Sequence, residues 1–262
     1  MGPARIVDTR GVPERGRGRQ SDEGGTLFVV GTPIGNLGEL TARARAVLAA
    51  VDHIACEDSR VAGRLKGLAG STARLTSYHD HNERQRTPRF LRRLLAGEDV
   101  ALVADAGTPM ISDPGYRLVR AARESGIRVR AVAGPSAVTA ALSVSGLPTN
   151  VFTFFGFPPP KGGRRERFLD RSVLAPGSLV FFEAPRRVPG LLAALAARVG
   201  PREASVSREM TKMHEEHWFG PLRELADRAA REPLRGEVTL VIAPAPRKRT
   251  PSSDPRGTPR SA

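Results

Sequence analysis

Three short apolar runs in this chain each end abruptly in a loop built from glycine and proline. TLFVV at residues 26–30 runs into GTPIG, VALVA at 100–104 into a loop holding Gly107 and Pro109, and RVRAV at 128–132 into AGP at 133–135. Runs of about five residues are strand length, and VALVA has no polar position to turn towards water, so its strand must be covered on both faces. Helical spacing of apolar residues follows each loop, over 41–51, 113–125 and 136–144. Strand, glycine turn and helix in repetition predict an α/β fold, and in an open α/β sheet ligands bind just beyond the carboxyl ends of the strands. The segment 105–115 is the densest such loop. Asp105, Gly107, Pro109, Ser112, Asp113, Pro114 and Gly115 fall within it, and Gly107 admits close approach of a ligand while the two prolines fix the path. Ser136 stands where a helix N-cap belongs, beside backbone donors suited to a polar ligand group.

The first glycine loop is not a phosphate-binding P-loop, because no Gly-Lys-Ser/Thr follows, and it lacks the G-x-G-x-x-G of a dinucleotide fold. SGLPTN at 145–150 reads as a boundary, which gives an N-terminal α/β domain over 26–147 and a C-terminal one over 148–246. In the second part, strands are predicted at 151–155, 178–182, 214–219 (an edge strand) and 236–244, and helices at 188–199 and 221–231. Between the first two strands lies GFPPPKGGRRERF, whose Lys161, Arg164, Arg165 and Arg167 suit phosphate contact or, equally, a solvated helix start.

With 40% hydrophobic residues among 262, the chain can bury one large core or two modest ones. No apolar run approaches the roughly 20 residues of a membrane span and no apolar stretch marks a secretory signal, so a cytoplasmic protein is expected. A single cysteine, Cys56, excludes an internal disulfide and a cysteine-based zinc cluster. SYHDHNE at 77–83 and HEEH at 214–217 match no metal-ligand spacing, so no metal is expected. The net charge is +14. The first 25 residues hold five arginines against four acids and the last 18 hold five basic residues against Asp254, which leaves +9 on the body. Both tails, 1–25 and 247–262, are poor in apolar residues and are predicted to be disordered; the basic body asks for an anionic partner, with nucleic acid the usual one.

Nine segments in order, VGTPIGNL, ACEDSR, SYHDHNE, VADAGTPMISDPG, AVAGPSAVTAAL, FFGFPPPKGGRR, FFEAPRR, SREMTKMHEE and GEVTLVI, resemble the tetrapyrrole methylase superfamily and, within it, the ribosomal RNA small-subunit methyltransferase I family. The match covers about residues 26–244. The resemblance implies two α/β domains with a cofactor cleft between them, the class III methyltransferase architecture. It also implies S-adenosylmethionine as cofactor, methyl transfer to the ribose 2′-hydroxyl of a cytidine in the decoding region of 16S ribosomal RNA in the small subunit, and a homodimer. Carried over residue by residue, cofactor contacts fall to Pro33, Asp105, Gly107, Thr108, Ile111, Ser112, Ser136 and Ala137. RNA contacts are expected from Lys161, Arg164, Arg165, Arg186 and Arg187. The chain departs from the family where Ala184, Pro185 and Arg186 stand in place of a Ser-Pro-His run and where Val238 replaces an aromatic residue.

A ribose hydroxyl is weakly acidic, so a carboxylate or imidazole beside it helps as general base. Asp105 and Glu183 are the candidates for that catalytic role, with His79 behind them, although Asp105 also suits a turn and Glu183 an ion pair with Arg187. Two other readings stay open: a superfamily member acting on a small tetrapyrrole, and a non-catalytic RNA-binding protein that keeps the fold.

Overall fold

The computed structural model describes residues 24–245, so both tails fall outside it but for Gly24 and Gly25. Strands β1 (Thr26–Val30), β2 (His53–Cys56), β3 (Arg74–Ser77), β4 (Val100–Val103) and β5 (Arg128–Val132) form one sheet in the order β3-β2-β4-β1-β5. Every pair in it is parallel. Helices α1 (Ala42–Ala50) and α2 (Ser59–Ala69) cover one face, α3 (Glu83–Leu95) and α4 (Tyr116–Glu124) the other. This explains why VALVA has no polar position. Val100 and Leu102 pack with Phe90, Leu94 and Leu118, while Ala101 and Val103 pack with Val47, Leu48 and Leu65 on the opposite side. Neighbouring strands β1 and β4 therefore send their helices to opposite faces, and the chain parts beyond their carboxyl ends to leave a crevice.

After α5 (Ala137–Val144), residues 145–151 lead to the second sheet, β6 (Phe152–Phe154), β7 (Ser178–Glu183), β8 (Glu203–Arg208), β9 (Glu216–Pro221) and β10 (Val238–Ile242), ordered β6-β7-β10-β8-β9. Its β6–β7 pair is parallel and the others antiparallel. Helices α6 (Gly162–Ser172), α7 (Val188–Val199) and α8 (Leu222–Arg231) bury one face through Leu169, Leu191 and Leu225 against Phe181, Val206 and Leu240. On the other face Val180 and Val241 pack against Val138, Ala141 and Leu142 of α5, with Ile34 from the loop after β1. That shared apolar cluster holds the crevice of the first sheet against the second.

Three elements depart from the sequence expectation. The helix read over 113–125 starts at Tyr116, because Pro114 and Gly115, whose φ is 139°, keep the preceding residues out of helical geometry. β3 (RLTS) and β8 (EASVSR) have no apolar run to announce them. In β8 the serines Ser205 and Ser207 are as buried as their neighbours.

Candidate functional site

The loops after β1, β4, β5 and β7, together with residues 236–239, enclose a cleft of about 340 Å3. That volume suits a nucleoside-sized ligand. Its walls combine small and backbone-rich positions, Ala106, Gly107, Ser136 and Ala137, with the apolar side chains Ile34, Ile111, Phe157 and Phe182. Two backbone hydrogen bonds fasten the first loop to the second, Thr32 N–H to Gly107 O at 2.8 Å and Gly107 N–H to Thr32 O at 3.1 Å. Gly31 and Gly134 fasten the third. A Cβ on Gly134 would stand 2.7 Å from Gly31 O, and one on Gly31 would stand 2.8 Å from Gly134 N, so only glycine lets these two loops lie backbone to backbone.

The β4 loop is held in an uncommon shape. Met110 and Ser112 have φ of 72° and 70°, Gly107 79° and Gly115 139°. Positive φ at a residue other than glycine costs on the order of 1–3 kcal/mol and clusters at ligand sites. Ser136 occupies the N-cap of α5 with its side chain making no capping bond, which leaves its hydroxyl to the cleft. Opposite, the segment after β8 latches the β1 loop: Asn36 N–H donates to Thr211 Oγ1 at 3.1 Å, and Lys212 Nζ reaches Glu209 at 2.9 Å and the cleft residue Glu237 at 3.0 Å.

Four carboxylates line the cleft, Asp105, Asp113, Glu183 and Glu237. Glu183 is fully buried and occupied on both oxygens: Oε1 accepts from Arg187 Nε at 2.6 Å and from Ala184 N–H at 2.8 Å, Oε2 from Arg165 Nη1 at 3.2 Å. Asp105 Oδ1 accepts the Asp58 amide at 3.0 Å. Asp113, half-buried, is pushed up to about 7, first by burial and then by the charges of Glu57, Asp105 and Asp80. Nearby, Arg60 holds Asp58 down at about 2, and burial pushes the Cys56 thiol up to about 11, which keeps that cysteine unreactive.

The model of the Tetrapyrrole (Corrin/Porphyrin) Methylases matches residues 26–226 of this chain. A protein of Mesorhizobium japonicum named ribosomal RNA small subunit methyltransferase I is 46% identical over 230 residues, covering 87% of this chain and 78% of that one. Its namesake in Micromonospora olivasterospora is 47% identical over 231 residues, covering 87% and 74%. The chain belongs to this methyltransferase family. Solved structures share its fold: the methyltransferase CobJ aligns with a TM-score of 0.63 at 19% identity over 84% of this chain and 95% of its own. Uroporphyrin-III C-methyltransferase of Thermus thermophilus, solved with S-adenosyl homocysteine, gives 0.59 at 19% over 84% and 97%.

Of the positions expected to hold the methyltransferase's cofactor, Asp105, Gly107, Thr108, Ile111, Ser112, Ser136 and Ala137 all line the one cleft. Pro33 is buried and does not line it, whereas its neighbour Ile34 does. The basic residues divide. Lys161, Arg164 and Arg186 are exposed, whereas Arg165 and Arg187 turn inward to Glu183, so the expectation that these two meet RNA is corrected: their guanidiniums neutralise a buried carboxylate. The same geometry engages Glu183, the other candidate base, with both of its oxygens accepting from protein donors. Sequence reading passed over Asp113 as loop punctuation and over Phe157 as part of a proline-rich linker. Asp113 sits in the same loop as the cofactor candidates, which was the available signal. Among the described residues no group of three or more His, Cys, Asp or Glu is placed to hold a metal.

Proposed function

We propose that this chain transfers a methyl group from S-adenosylmethionine to the small-subunit ribosomal RNA, at the 2′-oxygen of a cytidine in the decoding region. The observation that carries this reading is the 46–47% identity to ribosomal RNA small subunit methyltransferase I relatives, which extends over 87% of the chain. The cleft fits the cofactor by its own chemistry. Gly107 leaves its backbone open, an added Cβ there meeting Ile34 at 3.3 Å, the Ser136 hydroxyl is uncommitted, and Ile34, Ile111 and Phe182 offer apolar contact for a purine. When bound, S-adenosylmethionine supplies an activated methyl on a positively charged sulfur. The residues of the β1, β4 and β5 loops orient it, and orientation of donor and acceptor in line supplies much of the rate.

Phe157 is 55% exposed at the cleft and gives an unpaired nucleotide an aromatic face to stack on. Lys161, Arg164 and Arg186 are exposed and suit the phosphates. Replacing Lys161 and Arg164 together by alanine is expected to lower the salt dependence of RNA binding by about 1.4–1.8 in log–log slope, two phosphate contacts' worth, with cofactor affinity unchanged in calorimetry. An unaltered slope places the RNA path elsewhere. The reading includes a homodimer acting on ribosomal particles in the cytoplasm; no helix among the described residues is long and apolar enough to cross a membrane. Methyl-labelled cofactor incubated with small-subunit particles lacking the modification tests it: label enters the RNA if the reading holds and stays in solution if it fails.

A further inference from the structure

Deprotonation of the acceptor hydroxyl needs a carboxylate in the cleft that is free to accept, and three of the four cleft carboxylates already accept from a protein donor on at least one oxygen. Glu183 accepts from two arginines and an amide on both oxygens, Glu237 accepts from Lys212 on Oε2, and Asp105 accepts the Asp58 amide on Oδ1. Asp113 has no hydrogen-bond donor on its carboxylate among the described residues, yet it lines the same wall as Thr108 and Ser112. The backbone on either side of it is unusual, with positive φ at Met110, Ser112 and Gly115. We propose that Asp113 is the general base that takes the proton from the acceptor hydroxyl during methyl transfer. This rests on the methyltransferase reading above.

The step balances without any further reactant. The hydroxyl O–H bond breaks and its proton goes to the Asp113 carboxylate; the oxygen bonds to the methyl carbon; the electron pair of the broken carbon–sulfur bond stays on sulfur, which becomes neutral. Asp113 then releases the proton to water. The surroundings suit such a base. The charges acting on Asp113 come from Glu57 beyond β2, Asp80 beyond β3 and Asp105 beyond β4, and all are negative. The cations of the neighbouring elements are committed elsewhere, Arg60 to Asp58 and Arg117 of α4 to Glu83, and His79 faces Glu57. A carboxylate crowded by others holds a proton more tightly, and a base whose affinity lies near the working pH is the more effective one.

The test uses the full chain with small-subunit particles. Wild-type turnover is expected to rise with pH as Asp113 loses its proton and to level off above neutrality. Asp113→Asn is expected to lose 10²- to 10⁴-fold in kcat and that rising limb, with S-adenosylhomocysteine affinity within threefold of wild type by calorimetry. Because the native state holds a proton that the unfolded chain releases between about pH 4 and 7, wild-type stability falls over that range. Asp113→Asn escapes this loss, so its Tm at pH 8 is expected to exceed that of wild type, a readout independent of turnover. Glu57→Gln removes one repelling charge and is expected to move the rising limb to lower pH. Wild-type turnover with an Asp113→Asn variant of equal rate and the same limb overturns the proposal, as does loss of cofactor binding in step with activity. A wild-type protein that methylates no particle at all overturns the methyltransferase reading instead.

Discussion

Arg165→Ala is expected to destabilise the protein by about 3 kcal/mol, measured by denaturant unfolding, whereas the adjacent Arg164→Ala stays within about 0.5 kcal/mol of wild type. The contrast follows from burial. Arg165 is 9% exposed and donates to both Glu183 and the Pro159 carbonyl, while Arg164 faces solvent. Removing it leaves the Glu183 carboxylate, 1% exposed, with Arg187 and the Ala184 amide, which is why the figure sits at the lower end of what breaking a buried ion pair costs. The proline-rich loop before α6 is tied to the end of β7 through this residue, so cofactor affinity is expected to fall with stability. Equal effects at positions 164 and 165 contradict the inward assignment.

Gly134→Ala carries the second large effect. A methyl group there meets the Gly31 carbonyl at 2.7 Å, backbone against backbone, and neither strand end is free to yield because β1 and β5 are paired in register up to Val30 and Val132. Overpacking of this kind costs about 1–3 kcal/mol. The shift falls on loops that present Ile34 on one side and Ser136 and Ala137 on the other, so S-adenosylhomocysteine affinity is expected to drop about tenfold or more in calorimetry. Gly126→Ala serves as a comparison for a strained but open site, since its φ of 73° opposes a side chain although nothing lies within 4 Å. A Gly134→Ala variant that binds like wild type contradicts the close apposition of the loops.

The parallel sheet was legible because its strands are buried on both faces and its loops use glycine and proline. VALVA could hardly be anything but a central strand once α/β repetition was seen. β3 and β8 escaped notice for the opposite reason: RLTS is only half-buried at a sheet edge, and the buried serines of β8 look polar in sequence although they sit between β9 and β10. At the site, small residues that approach a ligand by backbone were readable from their loop positions. Charge pairing was not, since Arg164 and Arg165 are neighbours in sequence and their opposite fates depend on which side of α6 meets β7. Asp113 was hidden for a related reason: its character comes from Glu57, Asp80 and Asp105, which three different strands bring together.

The central claim is best tested by locating the methyl group. Small-subunit particles from cells lacking this protein are treated with purified enzyme and S-adenosylmethionine, and the RNA is digested to nucleosides and analysed by mass spectrometry. The account predicts one new 2′-O-methylcytidine, formed by wild type and lost by at least 10²-fold with Asp113→Asn. A methyl group found on a base, or no methylated nucleoside, contradicts it.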